Sequence, residues 1–259
     1  MKIVKLTAAV VILASCNQAT ETSNTLKWVP DTKAENLKGN VEQIVTETYF
    51  IDSATSQKGK LESKTVETYN NDGYVLTYSK FTAADSSTLL TTYEAIDANG
   101  HYAGYTSTKN SKPFSTMKFD IDSAGRLVAA TSTDSTGKTD SYYTSIKVND
   151  FGQAVSGKQL NADSSLKLIF AGTYDSIYIT KAENKDSAGK TISLTTVQYD
   201  DKRNITKMDA ATTVKDSTTN TSTTYVFDKF DDKGNWVQQT TNENGKPKEI
   251  AIRTIMYKQ

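Results

Sequence analysis

One short turn motif recurs along this chain and constrains its fold more than any other feature. Each copy has an aromatic or aliphatic residue, then an Asp/Asn-rich segment, then usually Gly, and then a new strand-like segment. Asp, Asn and Gly favour tight turns because they hydrogen-bond their own backbone or tolerate positive φ angles. The copies follow one another at about 24 to 30 residues and are centred at Gly73, Gly100, Gly125, Gly152, Ile177, Asn204 and Gly234. Asn204 is expected to replace Gly in its copy.

A second set of turn signals lies between these copies. It falls near Gly59, Asp85, Asn110, Gly137, Asp163, Gly189, Asn220 and Gly245. The two sets together divide the chain into strands of about 8 to 10 residues, and sequential strands joined by tight turns pair antiparallel. The sequence therefore predicts an all-β antiparallel meander of about 16 strands.

The predicted sheet should curve strongly, because a flat sheet of this size would leave two exposed edges and an unsupported apolar face. A single domain over residues 37–259 is expected as a strongly curved sheet or a barrel-like structure, and the sequence leaves open whether it closes. A membrane-spanning barrel is disfavoured, because the segment 218–224 is polar on both faces. Ile192 and Leu194 alternate out of phase with Val197 and Tyr199, which predicts a β-bulge near Thr195.

The composition excludes several classes of function. Thirty Lys and Arg balance thirty Asp and Glu, so the formal net charge is zero. Without a basic excess, nucleic acid is not expected as a partner. The single His and single Cys exclude a Cys/His zinc site and a disulfide within the chain.

The first residues have the pattern of an export signal. Lys2 and Lys5 precede an apolar stretch at 6–14 that is too short to span a bilayer. The segment Leu13-Ala14-Ser15-Cys16 resembles the bacterial lipobox. This resemblance implies a signal peptide over residues 1–15, cleavage between Ser15 and Cys16, and a lipid on the Cys16 sulfur that holds the chain on a membrane. Residues 16–36 are predicted to form a flexible tether.

The repeated turns also carry a family resemblance. Segments 119–127, 199–206 and 230–236 resemble YD (RHS-type) repeats, which have an aromatic residue, Asp, two spacers, Gly, a polar residue and a hydrophobic residue. The chain as a whole is similar to repeat-bearing outer-membrane lipoproteins of the Bacteroidetes. The resemblance implies curved β-sheets and a lipid-anchored location at the outer membrane, facing either the periplasm or the cell surface.

Asp-Ser followed by a small or β-branched residue occurs six times. The pattern resembles the O-glycosylation acceptor of exported Bacteroidetes proteins, although Asp and Ser are also good turn formers. The candidate acceptors are Ser53, Ser123, Ser135, Ser176, Ser187 and Ser217.

The sequence offers no catalytic residues, no metal site and no cofactor site. His101 follows a turn glycine and is expected to be an exposed turn residue. Asp120, Asp122 and Gly125 have part of the spacing of a calcium loop, but the remaining ligands are missing and a structural turn is favoured. Trp28, Trp236 and the tyrosines are expected to form the packing face of the sheet or, alternatively, a concave surface that binds a ligand.

These features favour a membrane-anchored, non-enzymatic envelope lipoprotein with a binding or scaffolding role. Its expected partners are the membrane, through the N-terminal lipid, and an envelope protein or glycan. One alternative is a carrier of a lipid or glycan ligand, which requires a deep and continuously apolar concave side. Another alternative is an envelope hydrolase, which requires several acidic residues to meet in one cleft.

Overall fold

The computed structural model describes residues 25–52, 55 and 57–259. Sixteen antiparallel strands form a meander in which each strand pairs with its neighbours in sequence, and β1 pairs with β16 to close a barrel. A one-turn helix precedes the first strand. The elements are α1 (Asp31–Ala34), β1 (Val41–Ile51), β2 (Lys58–Tyr69), β3 (Val75–Thr82), β4 (Ser87–Ile96), β5 (Tyr102–Lys109), β6 (Lys112–Ile121), β7 (Leu127–Asp134), β8 (Thr139–Val148), β9 (Ala154–Asn161), β10 (Leu166–Asp175), β11 (Tyr178–Lys185), β12 (Thr191–Tyr199), β13 (Ile205–Val214), β14 (Ser217–Phe230), β15 (Trp236–Glu243) and β16 (Lys246–Tyr257). The predicted all-β antiparallel meander is confirmed, and closure removes both sheet edges.

The two sets of turns lie at opposite ends of the barrel, because alternate turns of a meander fall at alternate ends. The seven copies of the repeated motif all lie at one end, which we call the turn ring (residues 70–74, 97–101, 122–126, 149–153, 176–177, 200–204 and 231–235). In six of them the first Asp or Asn caps the turn, as in Asp122, whose Oδ1 accepts hydrogen bonds from the backbone N–H groups of Ala124 and Arg126 at 2.9 Å each. The capping residues are Asn70, Asp97, Asp122, Asn149, Asp200 and Asp231.

One copy of the turn differs from the sequence-based expectation. The residue equivalent to Gly125 in the turn 200–204 is Arg203, which has a φ of 66°, and not Asn204. Asn204 instead follows the positive-φ position, and its backbone N–H donates to Asp200 Oδ1 at 2.8 Å. The backbone pattern set by the capping Asp therefore places this residue in the left-handed region even without Gly or Asn.

The bulge expected near Thr195 is absent from this part of β12. Its pairing with β13 runs without a shift from Ser193 to Gln198. The change of phase arises because β12 carries apolar residues on both faces: Tyr199 lines the barrel interior, whereas Leu194 lies on the outer face.

The outer face of the barrel is largely polar. Thr46 pairs with Arg253, which lines the interior, so the adjacent Glu47 points outward. Glu47 lies 3.4 Å from Lys64 of β2, and Lys207 and Asp209 of β13 form a similar outer pair at 2.8 Å. Ion pairs of this kind stand on the middle parts of the strands as well as at their ends.

The buried core lies at the turn-ring end. One cluster contains Trp28, Tyr74, Tyr102, Leu127 and Ile146, and a second contains Val41, Ile44, Tyr69 and Val75. Trp28 is fully buried. The prediction of a flexible tether over residues 16–36 is therefore wrong for residues 25–36, which fold into the barrel, while residues 16–24 lie outside the described residues.

Candidate functional site

The segment before β1 closes the turn-ring end of the barrel, and we call residues 25–40 the N-terminal plug. The Trp28 ring sits at its centre: the indole N–H donates to the Gly125 carbonyl at 3.0 Å, and the Trp28 backbone N–H donates to the Asn99 carbonyl at 3.0 Å. A Cβ added to Gly152, which has a φ of +80°, would lie 2.5 Å from the Trp28 ring. Glycine at this turn thus supplies both the backbone angle and the space for the indole.

Polar contacts hold the rest of the plug. The buried carboxylate of Asp31, at the start of α1, accepts hydrogen bonds from the Val75 backbone N–H at 2.8 Å and from the Tyr102 hydroxyl at 2.5 Å. Burial raises the pKa of this carboxyl, and the Tyr102 hydrogen bond opposes the shift. On the far side of the ring, the Asn36 amide donates to the Lys202 carbonyl at 2.7 Å. The plug therefore joins both sides of the turn ring.

His101 is part of this packing and is not the exposed turn residue that its position after Gly100 suggests. Its side chain is 6 % exposed and meets the Trp28 ring edge-on at 5.1 Å. One ring nitrogen lies 2.6 Å from the Leu26 carbonyl and the other 2.9 Å from the Asp97 carboxylate. The expectation was wrong because the plug covers the turn, and this contact is between residues distant in sequence.

A cavity of about 290 Å³ lies inside the barrel next to the plug. Aromatic rings form much of its wall, together with smaller aliphatic residues from the same strands. The rings belong to Tyr174, Tyr178, Tyr199, Tyr225, Phe227 and Trp236. The polar groups are those of Glu35, Asn36, Gln153, Arg203, Asn204, Gln239 and Arg253. Trp236 therefore joins the interior surface, whereas Trp28 belongs to the plug.

Arg253 of β16 is the most unusual polar group in the cavity. Its guanidinium lies over the Trp236 ring at 3.7 Å from the ring centroid. Its Nε is buried and has no hydrogen-bond partner among the residues that the structure describes. A buried donor without an acceptor costs about 1–3 kcal/mol. The unpaired N–H therefore marks a place where a bound molecule would gain affinity.

Glu35 is the only carboxyl group among the described residues that line the cavity. Burial, and then the negative charge of Glu67, raises its pKa well above the ordinary value, while Arg253 opposes this shift. The Tyr69 hydroxyl donates to Glu67 at 2.6 Å and lies 3.4 Å from Glu35. The result is a buried group of two acids, one tyrosine and one arginine at the floor of the plug.

The interior is not continuously apolar. Thr91 and Ser107 are buried, lie on adjacent strands inside the barrel, and join their hydroxyl groups at 3.0 Å. Ser141 of β8 is also buried and accepts a hydrogen bond from Gln159 at 3.3 Å. An acyl chain in this lumen would contact these hydroxyl groups, which does not match the apolar cup that a lipid carrier requires.

The residues singled out for calcium binding form a structural turn. The Asp122 carboxylate accepts two backbone hydrogen bonds and one from the Arg126 guanidinium at 2.8 Å. Over residues 25–52, 55 and 57–259, no group of three or more His, Cys, Asp or Glu is placed to hold a metal ion. In the same part of the chain, no helix is long and apolar enough to cross a membrane.

The candidate O-glycosylation sites are distributed over both ends of the barrel. Ser123 and Ser176 are exposed in the turn ring, whereas Ser135, Ser187 and Ser217 are exposed at or next to turns of the opposite end. Ser53, like Cys16 and the cleavage position at Ser15, lies outside the described residues. We expect intact-mass measurement of native protein to show a glycan mass beyond the lipid. Alanine at all six candidate sites should remove it, and a native mass without any excess would contradict the prediction.

Sequence reasoning missed Glu35, Gln153 and Arg253 as site residues. Glu35 lies in the segment that was predicted to be a tether, Gln153 is one of many polar turn residues, and Arg253 is one of many polar strand residues. The one available signal was the phase of β16, in which Arg253 alternates in step with Ile255 and Tyr257 and thus points toward the same side. A charged residue between apolar neighbours on one face of a strand, as Arg253 lies between Ala251 and Ile255, indicates a buried polar site.

Comparisons with known proteins identify a similar fold. No family model matches the chain, and no curated protein matches it. A solved porin-like protein from Bacteroides uniformis aligns with a TM-score of 0.53 and 14 % identity over 85 % of this chain and 98 % of its own. The TcdB2-TccC3-Cdc42 complex aligns with a TM-score of 0.30 and 12 % identity over 80 % of this chain and 14 % of its own. The chain thus shares a β-barrel fold with the porin-like protein.

Proposed function

We propose that this protein is a lipid-anchored binding protein of the bacterial cell envelope, with a barrel that faces water and a lumen that takes up a small ligand. The observation that carries the proposal is the cavity beside the plug, where aromatic walls surround a buried donor that has no hydrogen-bond partner in the described part of the chain. Concave sites with apolar walls and a few convergent polar groups are typical of small-molecule binding.

The outer face supports a barrel in water. Outward charges such as the pair Glu47–Lys64 stand on the strands themselves. A charged side chain on a lipid-facing strand costs about 2–4 kcal/mol near the middle of a bilayer. A barrel held beside the membrane by the lipid on Cys16 avoids this cost.

The arrangement of acids supports binding and not hydrolysis. Asp31 and Glu67 are engaged by tyrosine hydroxyl groups, which leaves Glu35 as the cavity's carboxyl group. A glycosidase of the common kind needs two carboxyl groups that flank the scissile bond. We therefore propose that a bound ligand is released unchanged, which mass spectrometry of the ligand after prolonged incubation tests.

Replacing Cys16 with Ser tests the anchor. Because the thiol is the acceptor for the lipid, we expect C16S to move the protein from the membrane pellet to the soluble fraction. Ser15→Thr, which leaves the acceptor in place, is the control and should stay with membranes. A C16S variant that remains in the pellet after a high-salt wash would show that another contact holds the protein there.

A further inference from the structure

We propose that the cavity binds a neutral carbohydrate, namely one or two sugar rings at the end of a glycan. This deepens the binding role proposed above and rests on it. Three properties of the cavity point to such a ligand: the way its rings are presented, an unsatisfied hydrogen-bond donor among its described residues, and its balance of charge.

The first property is two groups of aromatic rings in the cavity wall, each with an arginine stacked over one ring. Arg253 lies over Trp236, whose ring centroid is 6.0 Å from that of Phe227. Arg203 likewise lies over Tyr178 at 5.2 Å, and the Tyr178 and Tyr199 rings are 5.4 Å apart. Flat ring surfaces backed in this way are rigid platforms, and the C–H faces of sugar rings pack on such surfaces.

Two of the four tyrosine hydroxyl groups around the cavity are directed at backbone carbonyls of the barrel wall. Tyr174 donates to the Ala154 carbonyl at 3.2 Å and Tyr199 donates to the Ile179 carbonyl at 2.9 Å. These rings therefore offer carbon surface to the cavity. Hydrogen bonding to a ligand falls to groups such as the Arg253 Nε and the side-chain amide of Gln239.

The second and third properties concern Arg253. The acidic side chains of Glu35 and Glu67 interact electrostatically with its guanidinium, so its charge is already offset inside the barrel. Within residues 25–52, 55 and 57–259, the group still lacks an acceptor for its Nε–H. A hydroxyl or ring oxygen supplies an acceptor without adding charge, whereas a carboxylate or phosphate would add a negative charge near Glu67, whose own charge already raises the pKa of Glu35. These conditions select a neutral, oxygen-rich ligand.

Size and polarity limit the ligand further. The cavity volume of about 290 Å³ is close to that of the smallest small-molecule pockets, roughly 300 Å³. Polar side chains such as Asn36 and Gln239 also line the cavity, and they suit a glycan better than an acyl chain. We therefore expect the end of a glycan in the cavity, with any remaining sugars outside it.

The test uses the full lipidated chain, purified in a detergent without a sugar headgroup. Isothermal titration calorimetry compares cellobiose, maltotriose and chitobiose with trigalacturonate, adenosine and palmitate. We expect at least one neutral sugar to bind with a Kd of about 1 mM or tighter, and trigalacturonate to bind at least about tenfold more weakly.

Substitutions of cavity residues test whether the sugar binds in the cavity. Arg253→Lys keeps the charge opposite Glu35 and Glu67 but removes the Nε–H and the planar stack, so affinity should fall at least about tenfold. Trp236→Ala should have a similar effect, and Gln239→Ala is a milder variant if either of these fails to fold by circular dichroism. Arg126→Lys, at an exposed turn, is the matched control and should leave affinity unchanged.

The outcomes separate this inference from the proposed function. Binding of a neutral sugar that is lost in Arg253→Lys or Gln239→Ala supports it. Tighter binding of trigalacturonate, or equal binding by the cavity variants, overturns it. Binding of adenosine or palmitate alone overturns the sugar assignment but leaves a ligand-binding barrel. If no probe binds and native mass spectrometry of freshly extracted protein finds no small molecule, both proposals are wrong.

Discussion

Replacing Trp28 with Ala is expected to release the N-terminal plug from the turn ring. The indole is fully buried, and its N–H donates to the Gly125 carbonyl, which is one of the hydrogen bonds between the plug and the turn ring. Truncating a buried Trp to Ala costs about 3–5 kcal/mol. Since about 1.4 kcal/mol is a factor of ten, opening of the plug should become more than about a hundredfold more frequent.

Hydrogen exchange measures this opening directly. The backbone N–H groups of Leu26 and Thr32 donate to carbonyls of Ala124 and Gly73 in the turn ring, so their exchange reports on release of the plug. We expect both amides to lose protection in Trp28→Ala, while amides of the β1–β16 ladder keep theirs. Phe114→Ala, at a ring that is 50 % exposed, is the control. Unchanged exchange at Leu26 and Thr32 would show that the indole does not hold the plug.

The strand topology could be predicted from the sequence because its signals are local. A turn such as 122–126 is specified by a capping Asp and a Gly three residues later, and both act on their own backbone. The alternation of apolar and polar residues between the turns then defines the strands. The meander follows directly, because tight turns leave each strand no partner other than its neighbour.

The plug and the cavity could not be predicted in this way, because they depend on contacts between distant residues. The hydrogen bond from Trp28 to Gly125 spans 97 positions, and that from Lys38 to Asn235 spans 197. The segment around Trp28 is short and follows a polar stretch, and it has no strand or helix periodicity that would distinguish it from a tether. Its packing becomes defined only once the turn ring exists, and the burial of His101 is a consequence of that packing.

The stability of the barrel is expected to fall as the pH rises above about 5. Burial and the charge of Glu67 raise the pKa of Glu35 in the folded state, so the folded chain binds more protons than the unfolded chain between the ordinary value of 4.5 and the folded pKa. The free energy of unfolding then decreases with pH in that window, by up to about 1.4 kcal/mol per pH unit for one proton. Asp31, whose pKa burial also raises, adds a slope of the same sign.

Glu35→Gln isolates this effect because the amide has nearly the same shape and can still accept the Tyr69 hydrogen bond. We expect the variant to show a shallower decline in urea unfolding between pH 5 and 9 and to be more stable than the unmodified chain at pH 8. Glu42→Gln, at an exposed position beside Val41, should leave the profile unchanged. If Glu35→Gln keeps the full slope, the proton is bound elsewhere. If it lowers stability at pH 8, the attraction of the ionised carboxylate to Arg253 outweighs the cost of its burial, and the raised pKa of Glu35 would be wrong.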